Sequence, residues 1–122
     1  MFSAVPMNLF KSSDGVCNNV VSGWWSLCAG DEQNRYGNSH NVLPFVTKDN
    51  LMIETLPPVE EWDIAEGADF THYCDNETGT GFEFNDFPYD SFSESVIVTD
   101  MSSNLGSKVL DWDKIDVAYA CA

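Results

Sequence analysis

Three side chains carry the chemistry that this sequence can offer: Trp25, Thr78 and Asp100. An indole, a hydroxyl and a carboxylate, brought to one edge of a sheet, suit a flat, cationic heteroaromatic ligand. The indole would stack on the ring, and the hydroxyl would bond a phenolate oxygen. The carboxylate would keep a ring nitrogen protonated, so that the ring can draw electrons. Taken singly, each residue has another reading: Trp25 as core, Thr78 as a turn hydroxyl, Asp100 as the cap of its own turn. Spacing does not choose between these readings.

The elements that must position the three are partly legible. Asp100 closes the run Ser95-Val96-Ile97-Val98-Thr99-Asp100, whose β-branched residues suit a buried parallel strand. Met101-Ser102-Ser103-Asn104 behind it suits a loop, and in open α/β sheets ligands sit at that end of the strands. Trp25 falls near the start of a helix expected to begin at Ser22-Gly23 and to stop before Gly37. Within residues 16–36, Val20, Val21, Trp24, Trp25, Leu27 and Cys28 line one side of it. Thr78 lies in a polar loop, residues 75–81, after the β-rich run 70–74.

The rest reads more coarsely. Residues 2–10 are apolar and read as an extended segment, a strand. Residues 41–46 form a short strand, and 51–58 an extended piece broken by Pro57-Pro58. Residues 59–68 are acidic, with Trp62 and Ile64 as apolar anchors. Phe82-Glu83-Phe84 alternates, 85–94 is an acidic loop, 109–114 a connector, and 115–120 a last strand. The sum is five or six strands with one clear helix. That is an α/β chain, a partial and mostly parallel sheet with few covering helices, in which residues 1–122 form a single partial domain.

Bulk composition excludes some functions. With 20 acids against 5 bases the formal net charge is −15. Eleven acids lie from Glu60 to Glu94, and no Lys or Arg lies between Lys48 and Lys108. Such a field repels nucleic acid and anionic lipid. It leaves a solvated acidic surface, a basic protein partner or a saline-adapted surface. Cys17, Cys28, Cys74 and Cys121 show no C-x-x-C pair and no zinc spacing. The sequence has neither a secretory signal nor an apolar run of the roughly 20 residues that span a bilayer. Four unpaired thiols in a reducing compartment, not secreted, is the expectation. Asn76-Glu77-Thr78 matches a glycosylation sequon, which is discounted without that signal.

The motifs resemble one family in order and spacing. Residues 2–9 resemble its F-A-A-V-P-x-N-L segment, and Val20 to Ser26 its V-x-x-G-x-W-[SA] stretch. His72-Tyr73-Cys74-Asp75-Asn76-Glu77-Thr78, with Gly81, matches H-Y-C-x-N-E-T-x-x-G. Val98 to Asn104 matches V-x-x-D-[MF]-S-S-N, and Val117 to Ala122 resembles V-I-Y-A-G-A. The chain is therefore similar, over nearly its whole length, to phosphoserine aminotransferase, a pyridoxal-phosphate enzyme of serine biosynthesis.

That resemblance implies a central segment of the large domain of the type I aminotransferase fold, in a homodimer. It implies Trp25 as the ring-stacking residue, Thr78 as the donor to the phenolate, and Asp100 as the pyridinium partner of pyridoxal phosphate. The family's Schiff-base lysine would follow two positions after Ala122, and its Gly-rich phosphate-binding turn would precede Phe2. Gly106, Leu110 and Cys121 depart from the family pattern, and neither Lys108 nor Lys114 is placed like the lysine. The expectation is a non-catalytic structural or interaction subunit, with no catalytic residue and no metal of its own. A protein partner would then cover its open sheet edges. The alternative is a fragment of a split or truncated aminotransferase acting on phosphoserine and 2-oxoglutarate.

Overall fold

The computed structural model describes residues 1–121, so Ala122 at the end of the last motif lies outside the described residues. Five strands make one sheet: β1 (Val16–Val20), β2 (Asn38–Asn41), β3 (Phe70–Cys74), β6 (Val96–Asp100) and β7 (Val117–Tyr119). Their order is β2-β1-β3-β6-β7, and every neighbouring pair is parallel. A short antiparallel pair, β4 (Asn76–Glu77) and β5 (Phe82–Glu83), stands beyond β3. Among the described residues two α-helices complete the list, α1 (Ala4–Leu9) and α2 (Trp24–Gln33), with 3-10 turns at Val59–Glu61, Tyr89–Phe92 and Trp112–Lys114. Among the described residues no helix is long and apolar enough to cross a membrane.

The strand order reverses between β1 and β3. From β1 the chain crosses through α2 to β2 on one side; β3, β6 and β7 then build outward on the other. A reversal of this kind opens a crevice at the carboxyl ends of the strands.

Register sets which side chains share a face, because residues two apart along a strand face the same way. Cys17, Phe70 and Val96 form one row, Asn19, His72, Val98 and Val117 the next, and Cys74, Asp100 and Tyr119 the last, at the carboxyl edge. This face carries both helices. Cys17 donates its thiol hydrogen to Gln33 of α2 at 3.2 Å, and Asn19 donates to the Ser26 carbonyl at 2.8 Å. Phe2, Val5, Leu9 and Phe10, in and around α1, pack on Phe70, Val98 and Tyr119.

Among the described residues the opposite face carries no α-helix. Parallel strands need both faces covered, and an aromatic cluster supplies the cover. Tyr73 of β3 stacks on Phe87 at 3.8 Å between ring centroids, and Phe87 stacks on Phe92 at 5.5 Å. Trp62, Val42, Leu43 and Val46 close the rest. The acidic loop 85–94 is thus acidic outside and aromatic inside.

Several elements differ from the sequence reading. Residues 2–10 are not a strand: they form α1. Phe2, Val5 and Leu9 recur at helical spacing, and Pro6 sits in the first turn, where its missing N–H costs no helical bond. Residues 16–20 are the interior strand β1 rather than the approach to a helix. Asn18 and Asn19 give the run a loop-like look. Both amides are spent on tertiary hydrogen bonds, Asn18 to Ala65 in both directions and Asn19 to Ser26. The strand expected at 41–46 comes earlier, at β2, and the last strand is shorter than 115–120. The helix from Gly23, β3 and β6 stand where the spacing put them.

Candidate functional site

A cavity of about 620 Å³ opens at the carboxyl edge of the sheet, on the face that carries both helices. Trp25, Thr78 and Asp100 all line it. They come from three places: the first turn of α2, the loop after β4, and the last residue of β6. Met1, Phe2 and Ser3 before α1 close one side, and Cys28, Cys74, Ser102 and Tyr119 are among the remaining walls.

The three are graded by depth. Asp100 is 8% exposed, in the row with Cys74 and Tyr119 that forms the floor. Trp25, 48% exposed, and the exposed Thr78 stand at the rim. Asp100 also fills the simpler role that its sequence allows. Its Oδ1 accepts from the Ser102 amide at 2.9 Å and from the Ser102 hydroxyl at 2.6 Å. The two roles are compatible, because the turn bonds fall on one carboxylate oxygen and fix the side chain's rotamer.

Two groups at or beneath this floor have roles that no local pattern in the sequence marks. His72, 1% exposed, sits one row below Asp100. Its Nε2 lies 2.9 Å from the Tyr119 hydroxyl and its Nδ1 3.2 Å from Asn19 Oδ1. Since Asn19 Oδ1 only accepts, Nδ1 carries the proton and Tyr119 donates to Nε2. Burial holds the imidazole down to about 4, against a smaller upward pull from Asp100, so it is neutral at pH 7. Burial, with the Asp100 charge beside it, pushes the Tyr119 phenol up, so that group keeps its proton. Asp100 therefore has uncharged groups behind it, with His72 and Tyr119 in fixed tautomers. Burial also raises the Cys74 and Cys28 thiols, which makes both poor nucleophiles.

The loops that carry the site are tied to one another. Asn76 donates to the Ser103 hydroxyl at 2.7 Å, joining β4 to the loop after β6. Asn104 donates to Asp75 at 2.5 Å and to Glu83 at 2.9 Å. Lys108 pairs with the buried Asp75 at 2.7 Å and donates to the Phe84 carbonyl. It is thus fixed outside the cavity, and Lys114 pairs with Asp90 at 2.9 Å. No Lys, Arg or His is among the residues lining the cavity.

These residues suit a flat cationic ring of ordinary cofactor size. An acid lies at the floor, with an indole and a hydroxyl at the mouth. They offer nothing cationic to a phosphate. Fold and cavity together define a class: part of a parallel α/β sheet with a cavity at the carboxyl edge, matching part of the aminotransferase fold.

The particular enzyme that the chain resembles is phosphoserine aminotransferase. The chain is 39% identical over 121 residues to that enzyme from Drosophila melanogaster, covering 99% of this chain and 32% of the relative. Against the chloroplastic phosphoserine aminotransferase 2 of Arabidopsis thaliana it is 36% identical, over 99% of this chain and 28% of the relative. Among solved structures, phosphoserine aminotransferase from Bacillus circulans subsp. alkalophilus superposes with a TM-score of 0.82 at 30% identity. It covers 98% of this chain and 31% of that one. The Trichomonas vaginalis enzyme, solved bound to pyridoxal phosphate, gives 0.76 at 31% identity, over 99% of this chain and 33% of that one. No family model matches the sequence. By sequence and by fold, the chain is a phosphoserine aminotransferase-like segment that spans about a third of the length of the curated relatives it matches.

Proposed function

We propose that this segment is the ring-holding part of a pyridoxal-phosphate site, serving amino transfer between phosphoserine and 2-oxoglutarate. One observation carries the reading: Trp25, Thr78 and Asp100, far apart in sequence, line a single cavity. In this reading Trp25 stacks on the cofactor ring, Thr78 donates to its phenolate oxygen, and Asp100 holds the proton on its pyridine nitrogen. The cofactor, when bound, supplies the electron sink. His72 and Tyr119 stay uncharged and hold the Asp100 side of the floor in place. Covalent anchoring and phosphate binding fall to groups other than the residues lining this cavity.

A second reading is a non-catalytic subunit that keeps the cavity without the chemistry, with a protein partner over the open sheet edges. It is favoured by the lack of any cationic side chain among the lining residues. Two measurements separate the readings. Titration of the protein with pyridoxal phosphate, followed by visible absorption, is expected to show binding that Asp100→Ala weakens roughly tenfold to a hundredfold, the worth of one charge-assisted hydrogen bond. Equal affinity in the two proteins would remove the site assignment. Turnover of phosphoserine with 2-oxoglutarate by the protein isolated from its source favours the enzyme, and cofactor binding without turnover favours the subunit.

A further inference from the structure

Glu77 is fully buried, lies between two cavity-lining residues, Asn76 and Thr78, and does not itself line the cavity. Among the described residues no cation pairs with it. Its carboxylate turns instead to the N-terminus of α2. The Trp25 amide donates to Oε2 at 2.9 Å, the Ser26 amide to Oε1 at 2.8 Å, and the Ser26 hydroxyl to Oε1 at 2.5 Å.

The first amides of any helix lack partners within it. Commonly a Ser, Thr, Asp or Asn at the helix's own start accepts from them. Here that place is held by Gly23, which has no side chain to accept with. A carboxylate from β4, some fifty residues further along, does the work and also suits the positive end of the helix. Gly23 is what lets it approach. A Cβ there would meet Glu77 Cγ and Cδ at 2.7 Å and Oε2 at 2.8 Å. The glycine is needed for space, since its backbone is extended.

A local cap would satisfy the same amides without joining two parts of the site. This one joins them: the residue beside Thr78 holds the amide of Trp25 itself. We propose that Glu77 is a positioning residue, whose buried carboxylate clamps the first turn of α2 and thereby fixes the Trp25 indole relative to the Thr78 hydroxyl. The inference rests on the cofactor reading above for its purpose, though not for its geometry.

Glu77→Gln keeps the shape and gives up one acceptor and the charge. In the protein without cofactor, amide hydrogen exchange at Trp25 and Ser26 is expected to quicken about tenfold or more, with β3 and β6 amides unchanged. Unchanged protection at those two amides would overturn the clamp. On cofactor addition, Glu77→Gln is expected to weaken pyridoxal-phosphate binding about tenfold and to flatten the induced circular dichroism of the bound ring. In a Trp25→Ala background it should then cost nothing more, because Glu77 acts through Trp25. A loss that adds in full to that of Trp25→Ala would make Glu77 merely structural and overturn the proposal. If Glu77→Gln does not fold, Ser26→Ala removes one of the three bonds to Glu77, the one from the hydroxyl, leaves both helix amides in place, and is read in the same way. A wild-type protein that binds no pyridoxal phosphate would end the cofactor reading, while the exchange comparison still decides the clamp.

Discussion

His72 shows what burial does to a single titratable group. With its imidazole held down to about 4 in the fold and near 6.5 in an unfolded chain, the unfolded state binds more protons between those values. Stability therefore falls as pH drops through that window and is fully regained above about 6.5. The gap corresponds to about 3 kcal/mol. Urea unfolding at pH 7.5 and pH 5, for wild type and His72→Gln, isolates this group from the many carboxylates. The wild type is expected to lose about 2 kcal/mol more than the variant, and equal losses would show that the imidazole is charged in the fold. At this scale the sequence was informative where a motif names a residue. Trp25, Thr78 and Asp100 are legible from the sequence as candidates, and all three line the cavity. His72 shares a motif with Thr78, and Tyr119 stands in the last motif, without either showing its role. Their pairing depends on β3, β6 and β7 register, which no local pattern in this chain encodes.

Elements were legible where pattern and tertiary role agree, as in β3, β6 and α2, and misread where a tertiary partner overrides the local look. α1 and β1 are the two cases: a proline in a first turn, and two asparagines satisfied from outside their strand. The same override sets the sign of a mutation in α2. Glycine inside a helix is ordinarily worse than alanine by about 1 kcal/mol, so propensity alone would have Gly30→Ala stabilise the protein. A Cβ at Gly30 would stand 2.7 Å from Asn19 Nδ2, which is itself bonded to the Ser26 carbonyl on the same helix. Asn19 also receives the His72 proton, so it has little freedom to withdraw. The clash outweighs the propensity, and Gly30→Ala is expected to destabilise by about 1–3 kcal/mol. Thermal melting of the variant checks it, and a raised midpoint would mean that α2 is free to slide off the sheet.

Across the whole molecule the dominant fact is charge. A formal −15 on 122 residues makes the acids repel one another in the compact state. Opposing this are a few ion pairs, and among the described residues only Lys108 with Asp75 is largely buried. Lys11 with Asp69, Arg35 with Glu32 and Lys114 with Asp90 leave their basic ends in solvent, where screening by water and salt leaves such pairs little net effect. Salt weakens both kinds of interaction, so the sign of its effect shows which is larger. Raising ionic strength from about 0.01 M to about 1 M shortens the screening length from roughly 30 Å to roughly 3 Å. Repulsion among many acids spread over the surface acts at those longer distances and is removed first, while a 2.7 Å buried pair is barely touched. The melting temperature is therefore expected to rise steadily with sodium chloride. A fall would mean that exposed pairs hold more of the fold than their geometry allows, and that the acids are spaced widely enough not to feel one another. The aromatic underside of the sheet fits the expected rise. Loop 85–94 presses Phe87 and Phe92 inward while Asp86, Asp90 and Glu94 stay outside, so screening those carboxylates relieves the segment that stands in for a covering helix.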